Sequence, residues 1–307
     1  MGGTTAGIPE AFVAFFDDAA IFPPGLAPLD KAVHDHIARR GTQLAAAVGP
    51  LILPLSVLSE ARGLAAAEDL SGGPVHVSAV TPAGGLQQAL AAAEAIRPQL
   101  LMTAVELKTS ADPSNWHEEL SEAAAAVAAD TGIQIFVELS AEQIAAGALD
   151  QLEGTGLRLK FRTGGIKAEL FPTPAELAGV LEEAVRRSIP FKLTAGLHQA
   201  VRFTNAATGF AHHGFLNIAV ATARQLAASQ RSASQSARPE GADAGLLEAA
   251  LRETDGAKLA EQFARMDPQW RTAFTSFGTC SVAEPADSLA DLGLFPAGAD
   301  KTPNSQK

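Results

Sequence analysis

Short apolar runs alternate with longer helical stretches along most of this chain, and this alternation constrains the fold more than any other feature. Alternating units of this kind predict an α/β fold, with a mainly parallel sheet and helices packed outside it. Eight strands predict a closed (β/α)8 barrel of the TIM type, and no Gly-x-Gly-x-x-Gly turn follows an early strand to favour a doubly wound open sheet. The predicted strands lie at 12–22, 51–55, 75–80, 100–107, 133–138, 157–162, 191–194 and 273–277.

The alternation breaks between the seventh and eighth predicted strands. A stretch rich in Ser, Ala and Gln at 229–241 has the composition of a flexible linker. We therefore expect a single barrel domain over 1–295, a helical and flexible insertion at about 229–266, and a disordered tail over 296–307. The helices around the linker are predicted at about 211–228, 246–252 and 257–266.

Composition and charge narrow the function classes. A formal net charge of -11 disfavours nucleic acid as a partner. The single cysteine, Cys280, excludes an intrachain disulfide and a cysteine-rich zinc site. The first residues lack the basic and apolar regions of a signal peptide, and the longest apolar stretch is too short to span a membrane. These features predict a soluble cytoplasmic protein with a small-molecule partner, no membrane or nucleic acid partner, and a homo-oligomeric state left open.

The sixth and seventh predicted strands carry charged residues on one face. Because successive side chains of a strand point to opposite faces, Lys160 and Arg162 share a face of one strand, and Lys192 and Thr194 share a face of the next. Charged residues within a strand are costly unless that face lines a polar cavity. The pattern therefore predicts that neighbouring strands direct lysines into a common interior, which indicates an active site.

Strand parity adds two acids to the two lysines, near the carboxyl ends of strands where barrel enzymes place their sites. Two readings remain open: an active site, or buried salt bridges that hold the barrel together. We favour the active site because buried ion pairs add little net stability, whereas perturbed groups cluster at functional sites. The candidate catalytic residues are Glu106, Glu138, Lys160 and Lys192, and further inward candidates are Arg162, Thr194, His198 and Ser276.

A lysine pair of this kind suits Schiff-base chemistry. An amine is nucleophilic only when deprotonated, and a second cation with partial desolvation favours the neutral form. Lys160 and Lys192 on adjacent strands meet this requirement, with Arg162 adding to the positive field. A carboxylate such as Glu106 or Glu138 would then move the proton alpha to the iminium.

The segments Lys160-Phe-Arg-Thr-Gly164, Thr173-Pro-Ala-Glu-Leu, Lys192-Leu-Thr-Ala-Gly196 and Gly278-Thr-Cys-Ser281 resemble the last third of deoxyribose-phosphate aldolases. The resemblance covers roughly 157–198 and a few residues near Gly278. It implies that Lys160 forms the Schiff base and that Lys192 tunes it. It also implies that the turn at Gly164 and the segment at Gly278 help hold a substrate phosphate.

The chain departs from the aldolase pattern at several positions. Arg162 and Gly165 stand where the aldolases have a small hydroxyl residue and an aromatic one, and Glu106 is the nearest candidate for their fourth-strand aspartate. The linker-containing insertion has no aldolase counterpart. Taken together, the Lys-Phe-Arg-Thr-Gly-Gly, Thr-Ala-Gly-Leu-His and His-Gly-Phe-Leu-Asn segments are also similar to an uncharacterised bacterial protein family, which implies no activity.

Residues after the predicted strands supply candidates for substrate binding. His198 and Arg202 follow the seventh strand, where they would grip a carboxylate or phosphate, although His198 is equally suited to capping a loop. His213 is either part of the site or a buried packing histidine, and His34 and His36 are expected to be surface residues rather than metal ligands. Asp17 and Asp18 are candidates for the site, although helix capping is the commoner role of such residues and is the one expected here. The substrate-binding candidates are Arg162, Gly164, Gly165, Thr194, Gly196, His198, Arg202, Ser276 and Gly278.

Three functions are compatible with these residues. The first is an aldolase-like lyase without a cofactor, acting through a Lys160 Schiff base on a small oxygenated anionic substrate. The second is a metal-dependent isomerase or dehydratase in which Glu106 and Glu138 bind Mg²⁺ or Mn²⁺ and Lys160 or Lys192 acts as base. The third is a barrel without catalytic activity that binds a ligand or partner through its insertion.

Overall fold

A computed structural model describes residues 7–234 and 244–301 of the chain. Eight parallel strands close a barrel in the order β1, β10, β7, β6, β5, β4, β3, β2, which confirms the predicted TIM-type fold. The barrel strands are β1 (Phe16–Asp18), β2 (Val48–Pro54), β3 (Val75–Thr81), β4 (Leu100–Lys108), β5 (Gln134–Glu138), β6 (Arg158–Arg162), β7 (Phe191–Thr194) and β10 (Phe274–Thr279). A separate antiparallel hairpin consists of β8 (Phe203–Thr204) and β9 (Ala211–His212).

Helices follow most of the strands, and local sequence signals explain where several of them begin. Thr173 caps one helix through a reciprocal pair of hydrogen bonds with Glu176, and Pro174 occupies the first turn. Ser140 and Gln143 form the same capping box on another helix. The α-helices are α1 (Leu29–Ala38), α2 (Leu58–Ala65), α3 (Leu86–Ala95), α4 (Pro113–Ala128), α5 (Ala141–Ala145), α6 (Pro174–Arg186), α7 (Phe215–Ser234), α8 (Ala244–Arg252), α9 (Gly256–Ala264) and α10 (Ala283–Asp291).

Contacts between residues divide the chain into two compact units. The first comprises Met1–Lys108, Gly132–Gln134 and Ser276–Lys307, and the second comprises Thr109–Thr131 and Ile135–Thr275. The first unit contributes β1 to β4, and the second contributes most of β5 and all of β6 and β7. Each unit supplies its own buried apolar side chains, and the lysines predicted to be catalytic belong to the second unit.

The predicted alternation of faces holds on β6 and β7. Leu159 and Phe161 are buried on one face of β6, and Leu193 is buried on the corresponding face of β7. Lys160 and Lys192 lie on the opposite face and are also buried, with 3% and 2% of their surface exposed. Both faces of these strands are thus enclosed, as expected for a parallel sheet, but one face carries charge.

The structure corrects the prediction for the region after β7. The hairpin β8–β9 was not predicted, and Ala211 belongs to it rather than to the long helix. That helix, α7, begins at Phe215 and continues to Ser234, so the first part of the predicted linker is helical. The rest of the linker, residues 235–243, lies outside the described residues.

The segment predicted as a disordered tail begins with a packed portion. The carbonyl oxygen of Ala299 accepts a hydrogen bond from Leu44 N, and Ala299 is buried. Residues 302–307 lie outside the described residues. Among the helices that the structure describes, none is both long and apolar enough to cross a bilayer.

Candidate active site

Three charged side chains of the second unit meet on the face of the sheet that carries Lys160. Glu138, Lys160 and Lys192 occupy matched positions in the parallel register of β5, β6 and β7. Lys160 Nζ lies 2.8 Å from Glu138 Oε2. The sequence therefore predicted correctly that these strands bring two lysines and an acid to one face.

The contact between Lys160 and Glu138 is electrostatic rather than a well-directed hydrogen bond. The distance of 2.8 Å is that of an ion pair. Glu138 Oε2 is nevertheless a buried atom that makes no contact with hydrogen-bond angles among the described residues.

Lys192 has a different environment from Lys160. Its Nζ lies 5.2 Å from the centre of the Phe136 ring. A cation over an aromatic face is stabilised by the ring quadrupole, and the interaction strengthens when water is excluded. Lys192 therefore lies against an aromatic face, whereas Lys160 contacts a carboxylate. Sequence analysis did not select Phe136, although it shares the strand parity of Glu138.

A network of neutral hydrogen bonds holds the end of β5 in place. Thr109 Oγ1 donates to the carbonyl oxygen of Glu138 at 2.9 Å. The buried Gln143 side chain donates to Thr109 Oγ1 and to the Ser110 carbonyl oxygen, and it accepts from Ser140 N. Gln143, which completes the capping box of α5, thus also holds Thr109 against the backbone of Glu138. The capping signal was visible in the sequence, but its link to the site was not.

The glycines predicted to cradle a phosphate have an aromatic neighbour. A Cβ atom at Gly164 would lie 2.9 Å from Phe171 Cε1 and 3.1 Å from the Ala195 carbonyl oxygen. Gly196 has a φ of +80° and approaches the same ring and Gly164. These glycines therefore allow the chain after β6 to cross closely over the end of β7. A Cβ at Gly165 would meet the side chain of Leu170 in the same loop.

Thr163 connects the ends of β6 and β7. Its side chain is almost completely buried, and Oγ1 donates to the carbonyl oxygen of Ala195 at 2.8 Å. Thr163 N donates to the carbonyl oxygen of Thr194. Sequence analysis did not select this residue. Thr163 directly follows Arg162, so strand parity predicts that its hydroxyl lies on the face opposite Lys160 and Arg162.

Two arginines lie at or beyond the carboxyl ends of the lysine strands. Arg162 pairs in register with Thr194 and is exposed. Arg202 is half-buried, and burial lowers its pKa from the ordinary value. No carboxylate among residues 7–234 and 244–301 forms an ion pair with either guanidinium. Both guanidinium groups therefore have no described carboxylate as a partner.

The environment of Arg202 includes a buried histidine. Arg202 Nη1 donates to His213 Nδ1 at 3.4 Å, and His213 Nε2 donates to the Pro172 carbonyl oxygen at 2.7 Å. Burial lowers the pKa of His213 to about 4. His213 is therefore neutral near pH 7 and orients Arg202 without adding charge. Asn217 Oδ1 accepts from Arg202 N and fixes the backbone.

The two histidines His198 and His212, which follow β7, are partly exposed. His212 Nδ1 donates to the Gly196 carbonyl oxygen at 3.0 Å, and its ring packs against Phe171 and Phe203. It therefore joins the hairpin to the glycine crossing. His198 lies in the loop after β7 and is half-buried.

The remaining candidates lie in the first unit. Glu106 is buried on β4, and its Oε1 accepts a hydrogen bond from Ser78 at 2.9 Å. Ser276 Oγ donates to Asp17 Oδ2 at 2.7 Å, and Gly278 pairs in register with Asp17. Each predicted residue of this unit therefore contacts or adjoins a buried polar partner. Ser78 was not selected from the sequence.

Asp17 and Asp18 do not cap a helix, which corrects the sequence expectation. Both are buried on β1. Asp18 Oδ2 accepts from His36 Nδ1 at 3.0 Å and from Arg39 Nη1 at 2.7 Å. Although burial alone would raise it, the pKa of Asp18 is lowered overall by its hydrogen bond and charge contacts with His36 and by the Arg39 charge. His36 is therefore a buried partner of Asp18, not a surface residue.

No cluster of three or more His, Cys, Asp or Glu side chains suited to a metal ion occurs in the part of the chain that the structure describes. Comparison with protein-family models and with curated protein sequences finds no significant match.

Proposed function

We propose that this chain is a lysine-dependent lyase of the aldolase type, in which Lys160 forms a Schiff base with a small, oxygenated, anionic substrate. The observation that carries this proposal is the matched pair of buried lysines, with Glu138 Oε2 2.8 Å from Lys160 Nζ. Desolvated charges are costly to a fold and concentrate where chemistry needs them.

The reaction would begin with a proton transfer from Lys160 to Glu138. The neutral amine attacks the carbonyl carbon of the substrate, and loss of water gives an iminium ion. The iminium draws electrons from the adjacent carbon–carbon bond, which breaks as a base removes the proton of the hydroxyl group beyond it. Protonation and hydrolysis of the resulting enamine release the second product and restore Lys160.

Lys192 would tune this chemistry. Its ammonium group, held over the Phe136 ring, supplies a positive charge on the strand beside Lys160. A neighbouring positive charge is a general means of keeping a lysine amine neutral. Arg162 and Arg202, which pair with no described carboxylate, support an anionic group on the substrate.

The metal-dependent alternative has less support. Glu138 Oε2 is in contact with the Lys160 ammonium, and Glu106 Oε1 accepts a hydrogen bond from Ser78. Each carboxylate would have to leave its neighbour to become a ligand of Mg²⁺ or Mn²⁺. The contacts of the described residues therefore favour imine chemistry over a metal site.

Borohydride trapping tests the proposal. The protein is incubated with pools of small aldehydes, ketones and sugar phosphates, reduced with borohydride, and weighed intact by mass spectrometry. We expect an adduct whose yield is the same with and without EDTA. Lys160→Met should abolish this adduct. Lys258→Met, an exposed lysine of α9, is the matched control and should retain the adduct. Absence of any adduct, or loss of the adduct in EDTA, would overturn the proposal.

A further inference from the structure

A cavity on the outside of the insertion is not used by the proposed chemistry. It has a volume of about 700 Å³ and lies between α7, α9 and the turn that precedes β10. Small-molecule sites usually fall between about 300 and 1,000 Å³. Its lining is largely apolar and includes Val220, Ala223, Leu226, Ala227, Met266 and Trp270.

The charged residues of the lining differ in their partners. Arg265 pairs with Glu261 at 2.6 Å, and both are exposed. Lys258 pairs with Glu253, and Asp267 accepts a hydrogen bond from Gln269 N. Exposed pairs of this kind contribute little field because water screens them.

Arg224 is the exception within this lining. Its Nη1 donates to the Leu246 carbonyl oxygen at 2.9 Å, and its Nη2 donates to Gln262 Oε1 at 2.7 Å. Both acceptors are neutral, and no carboxylate of the described chain pairs with Arg224. The half-buried guanidinium is thus held in one orientation while its charge is uncompensated. Its remaining N–H groups can bind a carboxylate.

We propose that the cavity between α7 and α9 binds a small amphipathic carboxylic acid, with its apolar body on the α7 side chains and its carboxylate on Arg224. One uncompensated guanidinium matches a single negative charge. A doubly charged phosphate would carry excess charge next to Glu261 and Asp267, which also line the cavity. This site is independent of Lys160 and of the proposed lyase activity.

Calorimetric titration with decanoate and with decanol tests the proposal. We expect saturable binding of about one decanoate per chain, and binding of decanol weaker by at least about tenfold, because the alcohol cannot pair with Arg224. Arg224→Gln should weaken the binding of decanoate by a similar factor. Arg265→Gln, which removes an exposed and already paired charge, is the matched control and should not change it.

A second variant protects the test against misfolding of Arg224→Gln. Ala227→Phe places a large side chain in the cavity while leaving Arg224 unchanged, and it should abolish decanoate binding without lowering the melting temperature. Equal affinity for decanoate and decanol, or unchanged binding in both variants, would overturn the proposal. Self-association through this surface would also overturn the proposal. It would appear in sedimentation as a mass that rises with protein concentration, without saturable binding of decanoate.

Discussion

Lys160 and Lys192 face each other residue for residue across the parallel strands β6 and β7, and both side chains are almost completely buried. Two buried amines side by side are unfavourable for a structural core, since each carries a large desolvation cost. Glu138 and Phe136 on β5 give the two lysines different neighbours, a proton acceptor for one and an aromatic face for the other. In the proposed mechanism, this difference in neighbours makes Lys160 the nucleophile.

Glu138→Gln tests the proposed route of the Lys160 proton. The amide keeps the size of the side chain but cannot take up the proton. We expect imine formation to slow by about 100-fold or more, with the same adduct formed at long times. The measurement is the rate of adduct accumulation under borohydride. Glu142→Gln, in the exposed first turn of α5, should leave the rate unchanged. An unaltered rate in Glu138→Gln would exclude it as the acceptor.

Replacement of the two arginines tests the charge of the substrate. We expect Arg202→Gln to raise KM for an anionic carbonyl substrate by about tenfold or more, because a charge-assisted contact is lost. Arg162→Gln should act in the same direction and less strongly, since Arg162 is exposed. Neither variant should alter KM for a neutral aldehyde. Arg186→Gln, on the exposed side of α6, serves as the control. A parallel change for charged and neutral substrates would argue against an anion site.

The buried His213 predicts a dependence of stability on pH. Its pKa is about 4 in the folded chain and about 6.5 when exposed, so the unfolded chain binds the extra proton first. Its contribution to stability is complete above pH 6.5 and falls as the pH drops towards 4, by up to about 3 kcal/mol. Chemical denaturation at pH 7 and pH 4.5 measures this loss.

The pKa of His76 is also lowered, mainly by partial desolvation of its ring, so wild type and variant must be compared. His213→Gln, which cannot take up the proton, should show a smaller loss between the two pH values. An equal loss in both proteins would assign the effect to other groups.

Gly164 predicts a coupling with Phe171. An alanine at position 164 would bring its Cβ 2.9 Å from Phe171 Cε1, so Gly164→Ala should destabilise the fold by about 1–3 kcal/mol. Phe171→Ala in the same chain should recover part of that loss, although the Ala195 carbonyl oxygen remains close. A thermodynamic double-mutant cycle measures the coupling.

Gly179→Ala is the matched control for this cycle. Gly179 lies within α6, and nothing approaches a Cβ there within 4 Å, so alanine should stabilise by about 0.5–1 kcal/mol. An unchanged free energy of unfolding in Gly164→Ala would show that the close approach of Phe171 does not require glycine at position 164.

The barrel and the lysine face were predictable because both follow from local periodicity. Barrel strands such as β2 and β4 are largely apolar runs, and the parity of β6 and β7 alone puts Lys160 and Lys192 on one face. The hairpin β8–β9 could not be found in this way, because its strands have only two residues each.

The burial of His36 shows a second limit. Its partner Asp18 lies 18 residues earlier on β1, and no local pattern signals a pairing between a helix and a strand at that distance. The glycines after β6 show a third limit of prediction from the sequence. Their sequence indicates close backbone approach, but only the structure identifies Phe171 as the group that approaches.

The most direct test of the central claim is the position of the reduced adduct in the wild-type chain. After borohydride reduction with a reactive carbonyl substrate, peptide mapping by mass spectrometry locates the modified lysine. The account predicts modification of Lys160 and none of Lys192. Modification of Lys192 with Lys160 unmodified would contradict it, since the nucleophile would then be the lysine over Phe136 rather than the one beside Glu138.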